Sequence, residues 1–160
     1  LECVPGLRRY AYALCRSAIR IDADDLVQDC LMQALRRFDQ WQKDSSLRAW
    51  LFAIMHNQFI NELRKLKRES KGYFVKTMDN YIVDAEHKQE MDEIEKALNQ
   101  LAPDQKSIIL LVTLEGLSYK EIANSLQVPE GTVMSRLSRA RKRLREILDG
   151  NNESNVRYLK

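Results

Sequence analysis

The sequence predicts an all-α protein made of two small helical domains joined by a flexible linker. Apolar residues recur at helical spacing along most of the 160 residues, and alternating strand patterns are scarce. Clear periodicity is lost at 69–89, which we interpret as the linker. We therefore expect domains at 1–68 and 90–148, with a frayed polar tail at 149–160.

Three helices are predicted in the N-terminal domain, which should form a bundle of three or four helices. The first is expected at about 5–18. The second begins at Asp22, a good N-cap followed by acids that the helix dipole favours. The third runs from a cap at Ser45 or Ser46 to about 67, and its apolar first half should lie centrally. The residues expected to face the core are Leu7, Tyr10, Ala11, Leu14, Leu26, Cys30, Leu31, Ala34, Leu35 and Phe38.

Helical spacing returns in the C-terminal domain with Met91, Ile94 and Ala97. Pro103 ends that helix, because proline disfavours helix in the residue before it, and opens the next one. Gly116 is expected to end this second helix. Two shorter helices follow, one capped by Ser118 and one beginning near Glu130.

Composition and charge narrow the possible classes of protein. No apolar run approaches the ~18–20 residues that span a bilayer, and nothing resembles a signal peptide. We therefore expect a cytoplasmic protein without membrane insertion. Cys3, Cys15 and Cys30 lack metal-ligand spacing, so Cys15 and Cys30 are interpreted as small buried hydrophobic residues, with a redox or metal role as the alternative.

Charge is distributed unevenly along the chain, although the net charge is only +3. Basic residues crowd at 64–71 and again at 136–145, and an acidic stretch lies between them. This pattern indicates two nucleic-acid contacts on one chain, separated by a segment that avoids DNA.

The last two helices have the pattern of a helix-turn-helix. Ile122, Ala123 and Leu126 face inward on the first, and a turn through Pro129 leads to the second, whose buried stripe includes Val133 and Leu137. An αα-hairpin with a solvated basic face is the alternative. Spacing and charge together favour DNA binding, with base contacts from the N-terminal turns of the second helix and phosphate contacts from its basic flanks.

Two polar stripes mark the N-terminal domain. On the second helix, Asp25, Gln28, Asp29, Met32 and Arg36 lie opposite the core face; an ordinary solvated surface is the simpler explanation. On the third helix, Asn57, Asn61, Arg64 and Arg68 fall on one line. Asparagine amides can bind the edges of unpaired bases. Nearby Trp41 or Trp50 could stack on the faces of such bases, although Trp50 fits a core position better.

Five segments together resemble the extracytoplasmic-function class of bacterial sigma factors, over roughly 4–68 and 90–148. They are 22–29 (DADDLVQD), 47–54 (LRAWLFAI) with Asn57 following, 117–123 (LSYKEIA), 129–133 (PEGTV) and 135–141 (SRLSRAR). Each segment is weak evidence alone, but their order and spacing are specific.

The resemblance implies a role for each region. The second helix would bind the clamp coiled coil of the RNA polymerase core through Asp24, Asp25, Gln28, Asp29 and Met32. The 39–46 loop and third helix would capture a flipped base and bind single-stranded −10 DNA through Trp41, Lys43, Asp44, Asn57, Asn61, Arg64 and Arg68. The last helix would bind duplex −35 DNA through Thr132, Met134, Ser135, Arg136, Ser138, Arg139, Lys142 and Arg143. The linker would lead toward the polymerase cleft.

Four positions depart from the family pattern. His56 stands where the family usually has Arg, and Asn61 where it usually has Asp. Met134 and Ser138 replace the more usual basic and His or aromatic residues, and Met134 cannot donate a hydrogen bond to a guanine edge. The promoter sequence is therefore not predicted.

Two other classes of protein share parts of this pattern. A repressor or activator would combine the same helix-turn-helix with an N-terminal dimerisation or effector bundle, and would bind a palindrome without a partner. A metal-dependent nuclease would need Asp22, Asp24, Asp25 and Asp29 to converge on one metal, which a single helix face does not allow.

We therefore expect no enzyme, cofactor or metal site, and a protein that opens promoters with binding energy alone. It should be a monomer outside its complexes with polymerase core and promoter DNA. The family resemblance further implies an anti-sigma factor as partner.

Overall fold

A computed structural model describes residues 2–16, 18, 20–69 and 87–157, with side chains for all of these except 87–92 and 151–157. These residues contain α-helices, a short 3-10 helix and no strand, which confirms the all-α fold. The helices are α1 (Val4–Cys15), α2 (Ala23–Arg36), α3 (Leu47–Glu69), α4 (His87–Asn99), α5 (Pro103–Thr113), α6 (Tyr119–Leu126) and α7 (Glu130–Arg157). The 3-10 helix, Phe38–Gln40, follows α2.

Side-chain caps begin three of these helices as the sequence predicts. The Asp22 carboxylate accepts a hydrogen bond from the Asp25 N–H, and the Ser46 hydroxyl accepts one from the Ala49 N–H. Ser118 and Glu121 form a reciprocal capping box at α6. Each cap satisfies backbone donors that the first helical turn leaves free, and so fixes where the helix starts.

The N-terminal core is built around α3, which both α1 and α2 contact. Phe52 and Met55 of α3 are fully buried, as are Leu7 and Tyr10 of α1. The central position predicted for α3 is therefore confirmed.

The prediction that Leu35 and Phe38 face this core is wrong. Leu35 is 73% exposed and Phe38 is 53% exposed. Buried Leu26, Val27 and Ala34 define the packed face of α2, and Leu35 lies roughly 120° away at 100° per residue. The apolar positions of α2 thus cover a wider arc of the helix than α1 and α3 can bury. Ile94 of α4 is also more exposed than its spacing predicts.

Several helix ends differ from the predicted bounds. α1 ends at Cys15 and not near 18, α4 starts at His87 inside the expected linker, and α7 continues to Arg157 through most of the expected tail. Extending a formed helix adds one hydrogen bond per residue without a new nucleation step, which explains how a polar segment continues α7. The rest of the predicted linker and tail, 70–86 and 158–160, lies outside the described residues.

The two helical domains lie against each other. α5 of the C-terminal domain packs on α1 and α3, and α6 packs on α3. The turn between α5 and α6 contains Gly116 at φ +64, a conformation that favours glycine. This turn faces the N-terminal domain through Glu115.

Candidate nucleic-acid interface

The buried stripe of α7 holds the helix-turn-helix together and leaves a polar face exposed. Val133, Leu137 and Ala140 are buried, while Leu144 and Leu148 are only partly so. Six α7 residues of the predicted DNA-binding set divide by exposure: Met134, Ser138, Arg139, Lys142 and Arg143 are exposed, and Arg136 is half-buried. The helix therefore presents cations and polar groups outside its buried stripe.

Hydrogen bonds within α7 limit what its first turn offers. The Ser135 hydroxyl donates to the Thr132 carbonyl at 3.0 Å, and Arg139 donates to the Ser135 oxygen at 3.5 Å. Both Thr132 and Ser135 are half-buried. Arg139 therefore leans toward the start of the helix, where base edges would be read, whereas Arg143 pairs with Glu146 at 3.4 Å.

A cationic groove of about 360 Å³ separates α7 from the start of α5. Arg139, Lys142 and Arg143 line one wall, and Gln105 lies on the other. Glu146 also lines the groove, so three cations face one carboxylate, and the net positive charge suits a DNA phosphate. Gln105 could not be identified from the sequence, because its place depends on how α5 packs against α7.

The structure brings the two polar stripes of the N-terminal domain together. Asp29 and Met32 of α2 line the same open groove, of about 610 Å³, as Asn61 of α3. A second groove, formed by Asn61, Arg64, Lys67 and Arg68, continues along α3. Asn57 is exposed on the same helix. Two of the predicted polymerase-binding residues, Asp29 and Met32, thus share a surface with the predicted −10 residues of α3.

Asp24 differs from the other acids of the α2 stripe. Tyr12 of α1 donates a hydrogen bond to its carboxylate at 3.2 Å, and this contact raises the pKa of Tyr12. Asp25, Gln28 and Asp29 are exposed farther along the same face. Helical spacing within α2 alone could not identify Tyr12 as part of this surface.

The 39–46 loop carries both exposed and sheltered groups. Lys43 and Asp44 are exposed, whereas Trp41 is half-buried with its ring centroid 5.6 Å from that of Phe38. The Trp41 indole N–H is buried and has no hydrogen-bond partner among the described residues. Trp50 packs against the core, which confirms the interpretation that it is not an exposed stacking residue.

His56, which departs from the family pattern, does not face this surface. It is buried, and its Nδ1 lies in hydrogen-bonding contact with the Ser107 hydroxyl of α5. Burial lowers the pKa of His56 to about 4, so the imidazole is neutral at physiological pH. Sequence reasoning missed this role because residue 107 comes from the other domain.

The cysteines behave as predicted. Cys15 and Cys30 are buried, and burial raises the pKa of their thiols to about 11 and 12, respectively. Within the described part of the chain, no group of three potential ligands could hold a metal ion. No helix there is long and apolar enough to cross a bilayer.

Two family models match the two domains separately. Residues 1–56 match the model described as the sigma2 domain of PhyR, and residues 91–144 match sigma-70 region 4. The second match contains α5, α6 and the first half of α7, so it covers the helix-turn-helix.

Similar proteins cover nearly the whole chain. An ECF RNA polymerase sigma factor, EcfG of Rhodopseudomonas palustris, is 39% identical over 151 residues, which are 92% of this chain and 82% of that protein. The Bartonella quintana sigma factor RpoE, solved in complex with the anti-sigma factor NepR, is 37% identical, with TM-score 0.74 and 93% of both chains covered. CnrH, solved with the cytosolic domain of CnrY, is 28% identical, with TM-score 0.61 and coverage of 91% and 82%.

These similarities define a two-domain transcription factor with sigma-type regions 2 and 4. The chain belongs to the ECF sigma factors of RNA polymerase, and its function is transcription initiation. The alternative of a free-standing repressor or activator is not favoured.

Proposed function

We propose that this sigma factor divides promoter recognition between the three surfaces described above. Asp25, Gln28, Asp29 and Met32 bind the clamp coiled coil of the polymerase core, with Asp24 held beside them by Tyr12. The observation that carries this assignment is the shared groove, since Asp29 and Asn61 line it together. Core binding on α2 would thereby place the α3 stripe next to the DNA strand being opened.

The −10 element is the proposed ligand of α3 and the preceding loop. Asn57 and Asn61 have exposed amides that can accept and donate hydrogen bonds to an unstacked base. Arg64, Arg68 and Lys43 are exposed cations that follow the backbone, and Trp41 with Asp44 lies in the loop before them. Strand opening then draws on binding energy, without nucleotide hydrolysis.

The −35 element is the proposed ligand of α7. Arg139 lies toward the start of the helix with Met134 and Ser138, in the position to contact base edges. Lys142, Arg143 and the half-buried Arg136 hold phosphates on either side, and Thr132 and Ser135 shape the first turn. Exposed Met134 offers apolar contact and no hydrogen bond, which favours a thymine methyl over a guanine edge at its position.

An anti-sigma factor is the further partner we propose, supported by the similarity to RpoE in its complex with NepR. A polymerase subunit works where the chromosome is, which supports the predicted cytoplasmic location. No cofactor or metal is required by the proposed mechanism, and outside its complexes the chain acts as a monomer.

Reconstituted transcription tests the function. Purified chain, polymerase core and genomic fragments should give specific transcript starts that disappear when the chain is left out. A repressor would instead shift a palindromic duplex without core polymerase, and would add no new starts. That second outcome would overturn the sigma assignment.

Asn57→Ala tests the assignment of the −10 surface within the same assay. Loss of contacts to one flipped base is worth about 1–3 kcal/mol, so open complex should fall about 5- to 150-fold while duplex −35 binding stays unchanged. Permanganate reactivity of −10 thymines measures opening directly. Asn124→Ala is the matched control, because Asn124 is an exposed asparagine on α6 outside the proposed contacts. Normal reactivity in Asn57→Ala would remove this residue from the site.

A further inference from the structure

A buried carboxylate joins the two domains. Glu115 lies in the turn between α5 and α6, and its side chain is fully buried. Arg9 of α1 donates two hydrogen bonds of 3.0 Å to its carboxylate oxygens. Arg48 of α3 donates to its Oε2 at 2.8 Å and to its backbone carbonyl at 2.7 Å. We call these three residues the Glu115 cluster.

Gly6 makes room for this carboxylate. A Cβ at position 6 would lie 2.9 Å from Glu115 Oε2 and 3.4 Å from Phe52 Cζ. The backbone at Gly6 is helical, so the local conformation does not require glycine there. A glycine inside a helix costs about 0.5–1 kcal/mol relative to alanine. Its presence is explained by the close approach of a residue from the other domain.

A second set of contacts crosses the same interface. The hydroxyl groups of Tyr10 and Ser107 are in hydrogen-bonding contact, and His56 contacts the same Ser107 oxygen. The Lys106 ammonium group donates to the Leu14 carbonyl at 3.2 Å. These polar groups are buried and each has a hydrogen-bond partner in the other domain, so they favour one arrangement of the two domains over others.

The interface also ties the base of the −10 loop to the helix-turn-helix. Ser46, the last residue of that loop, caps α3, which packs on α6, and it lies near enough to Glu121 of the α6 capping box to affect the pKa of that carboxyl. Together with the Ser118 backbone and side chain, which contribute most, Ser46 lowers the pKa of Glu121. Glu115 itself lies three residues before the α6 cap. The base of the −10 loop thus lies against the first helix of the helix-turn-helix.

Such an arrangement cannot reach both promoter elements at once. Elements centred about 25 base pairs apart are separated by about 85 Å at 3.4 Å per base pair. A domain of about 60 residues has a radius of gyration of about 10 Å, so two touching domains have centres only about 25–30 Å apart. The domains must therefore separate before the chain contacts both elements.

We propose that the Glu115 cluster is an intramolecular latch that keeps the free sigma factor closed, with no partner bound. Opening it exposes Glu115 to water and frees the domains to separate along the promoter. The proposal rests on the proposed function for its consequence in transcription, but the closed state itself can be tested without polymerase. Neutralising Glu115 removes the negative charge that both arginines bind. A methyl group at position 6 displaces the Glu115 carboxylate from its place.

Small-angle X-ray scattering of the free, full chain tests the closed state. The wild type should have a radius of gyration of about 15 Å, as expected for one compact body of this length. Glu115→Gln and Gly6→Ala should each increase it by several ångströms at unchanged helical circular dichroism. Glu2→Gln and Gly150→Ala are matched controls, since Glu2 is exposed and a Cβ at position 150 meets nothing within 4 Å.

Transcription with limiting sigma factor tests the consequence. The apparent affinity for promoter complexes falls with the fraction of sigma factor that is open. The opened variants should therefore reach half-maximal transcription at a concentration at least about threefold lower than the wild type needs. An extended wild type, compact variants, or extended variants without this gain would each overturn the latch. A loss of helical circular dichroism in Glu115→Gln would also overturn the latch, since Glu115 would then stabilise the fold of a single domain and not the contact between the two domains. Failure of the wild type to direct transcription would sink the proposed function while leaving the scattering result intact.

Discussion

The exposed DNA-binding faces and the buried domain interface use the same residue type in opposite ways. Arg139 on α7 and Arg64 on α3 are exposed to solvent, where an arginine contributes little to stability and is available to DNA phosphates. Arg9 and Arg48 have side chains that are 53% and 40% exposed, but both converge on one fully buried carboxylate. Leaving a buried charge without a partner costs several kcal/mol, so here the arginines fix how the domains pack.

Local sequence patterns predict the exposed DNA-binding faces but not the domain interface. The DNA-binding faces each lie along one helix, so their spacing can be seen in a few turns of sequence. Arg9 and Glu115 are 106 positions apart, and Arg48 and Glu115 are 67 apart. The interface therefore depends on how whole domains are placed.

Phe52→Ala should have the largest effect, because it removes a fully buried ring of the N-terminal core that packs beside Arg48 and Gly6 of the domain interface. Phe52 is fully buried, its ring meets Tyr10 edge-on at 5.3 Å, and the Arg48 guanidinium lies 5.4 Å above it. Truncating a buried phenylalanine costs about 3–5 kcal/mol. Urea unfolding followed by circular dichroism should show this loss.

Leu35→Ala is the control for Phe52→Ala. Leu35 is a large apolar residue on α2 that the sequence pattern placed in the core but the structure leaves exposed. Its truncation should change the free energy of unfolding by no more than about 0.5 kcal/mol. A loss comparable to that of Phe52→Ala would contradict the exposure that separates the two positions.

Helical periodicity predicted the fold and the exposed faces well, for a physical reason. Capping residues such as Asp22 and Ser118 and buried stripes such as that of α7 are local, so they determine helices without knowledge of the partner. Leu35 was misassigned because periodicity does not say how wide an arc the neighbouring helices cover. His56 and Glu115 could not be placed from sequence, since each owes its environment to the other domain.

Arg139→Ala should have an intermediate effect and acts only on DNA binding. Losing one base or phosphate contact costs about 1–3 kcal/mol of promoter affinity, or about 5- to 150-fold. If Arg139 contacts a phosphate, binding should weaken equally on all DNA sequences, and the slope of log affinity against log salt concentration should fall by about 1. If Arg139 contacts a base, binding should weaken only on DNA that carries that base. Arg8→Ala, an exposed arginine of α1, should leave the binding curve unchanged. An unaltered footprint in Arg139→Ala would exclude the residue from the interface.

The smallest expected effect is a pH dependence that arises at the domain interface. Burial lowers the pKa of His56 from 6.5 to about 4, so the folded protein binds this proton less tightly than the unfolded chain does. Asp104 of α5 opposes the shift, Arg136 of α7 and Arg64 of α3 add to it, and the Ser107 and Tyr10 hydroxyls are neutral. The stability contributed by neutral His56 is therefore complete above pH 6.5 and is lost as the pH falls toward 4.

At pH 5.5 this loss amounts to about 1 kcal/mol, because that pH lies one unit below the unfolded pKa. Urea midpoints at pH 7.5 and 5.5 measure it when wild type is compared with His56→Gln, which keeps a polar side chain without a proton to bind. Carboxylates titrate in both proteins, so only the difference between the two pH dependences belongs to His56. Since the imidazole is buried by contacts from both domains, equal pH dependence in the two proteins would mean that α5 does not cover His56 in solution. In that case the exposed DNA-binding faces would be unaffected, but His56 would no longer belong to the buried domain interface.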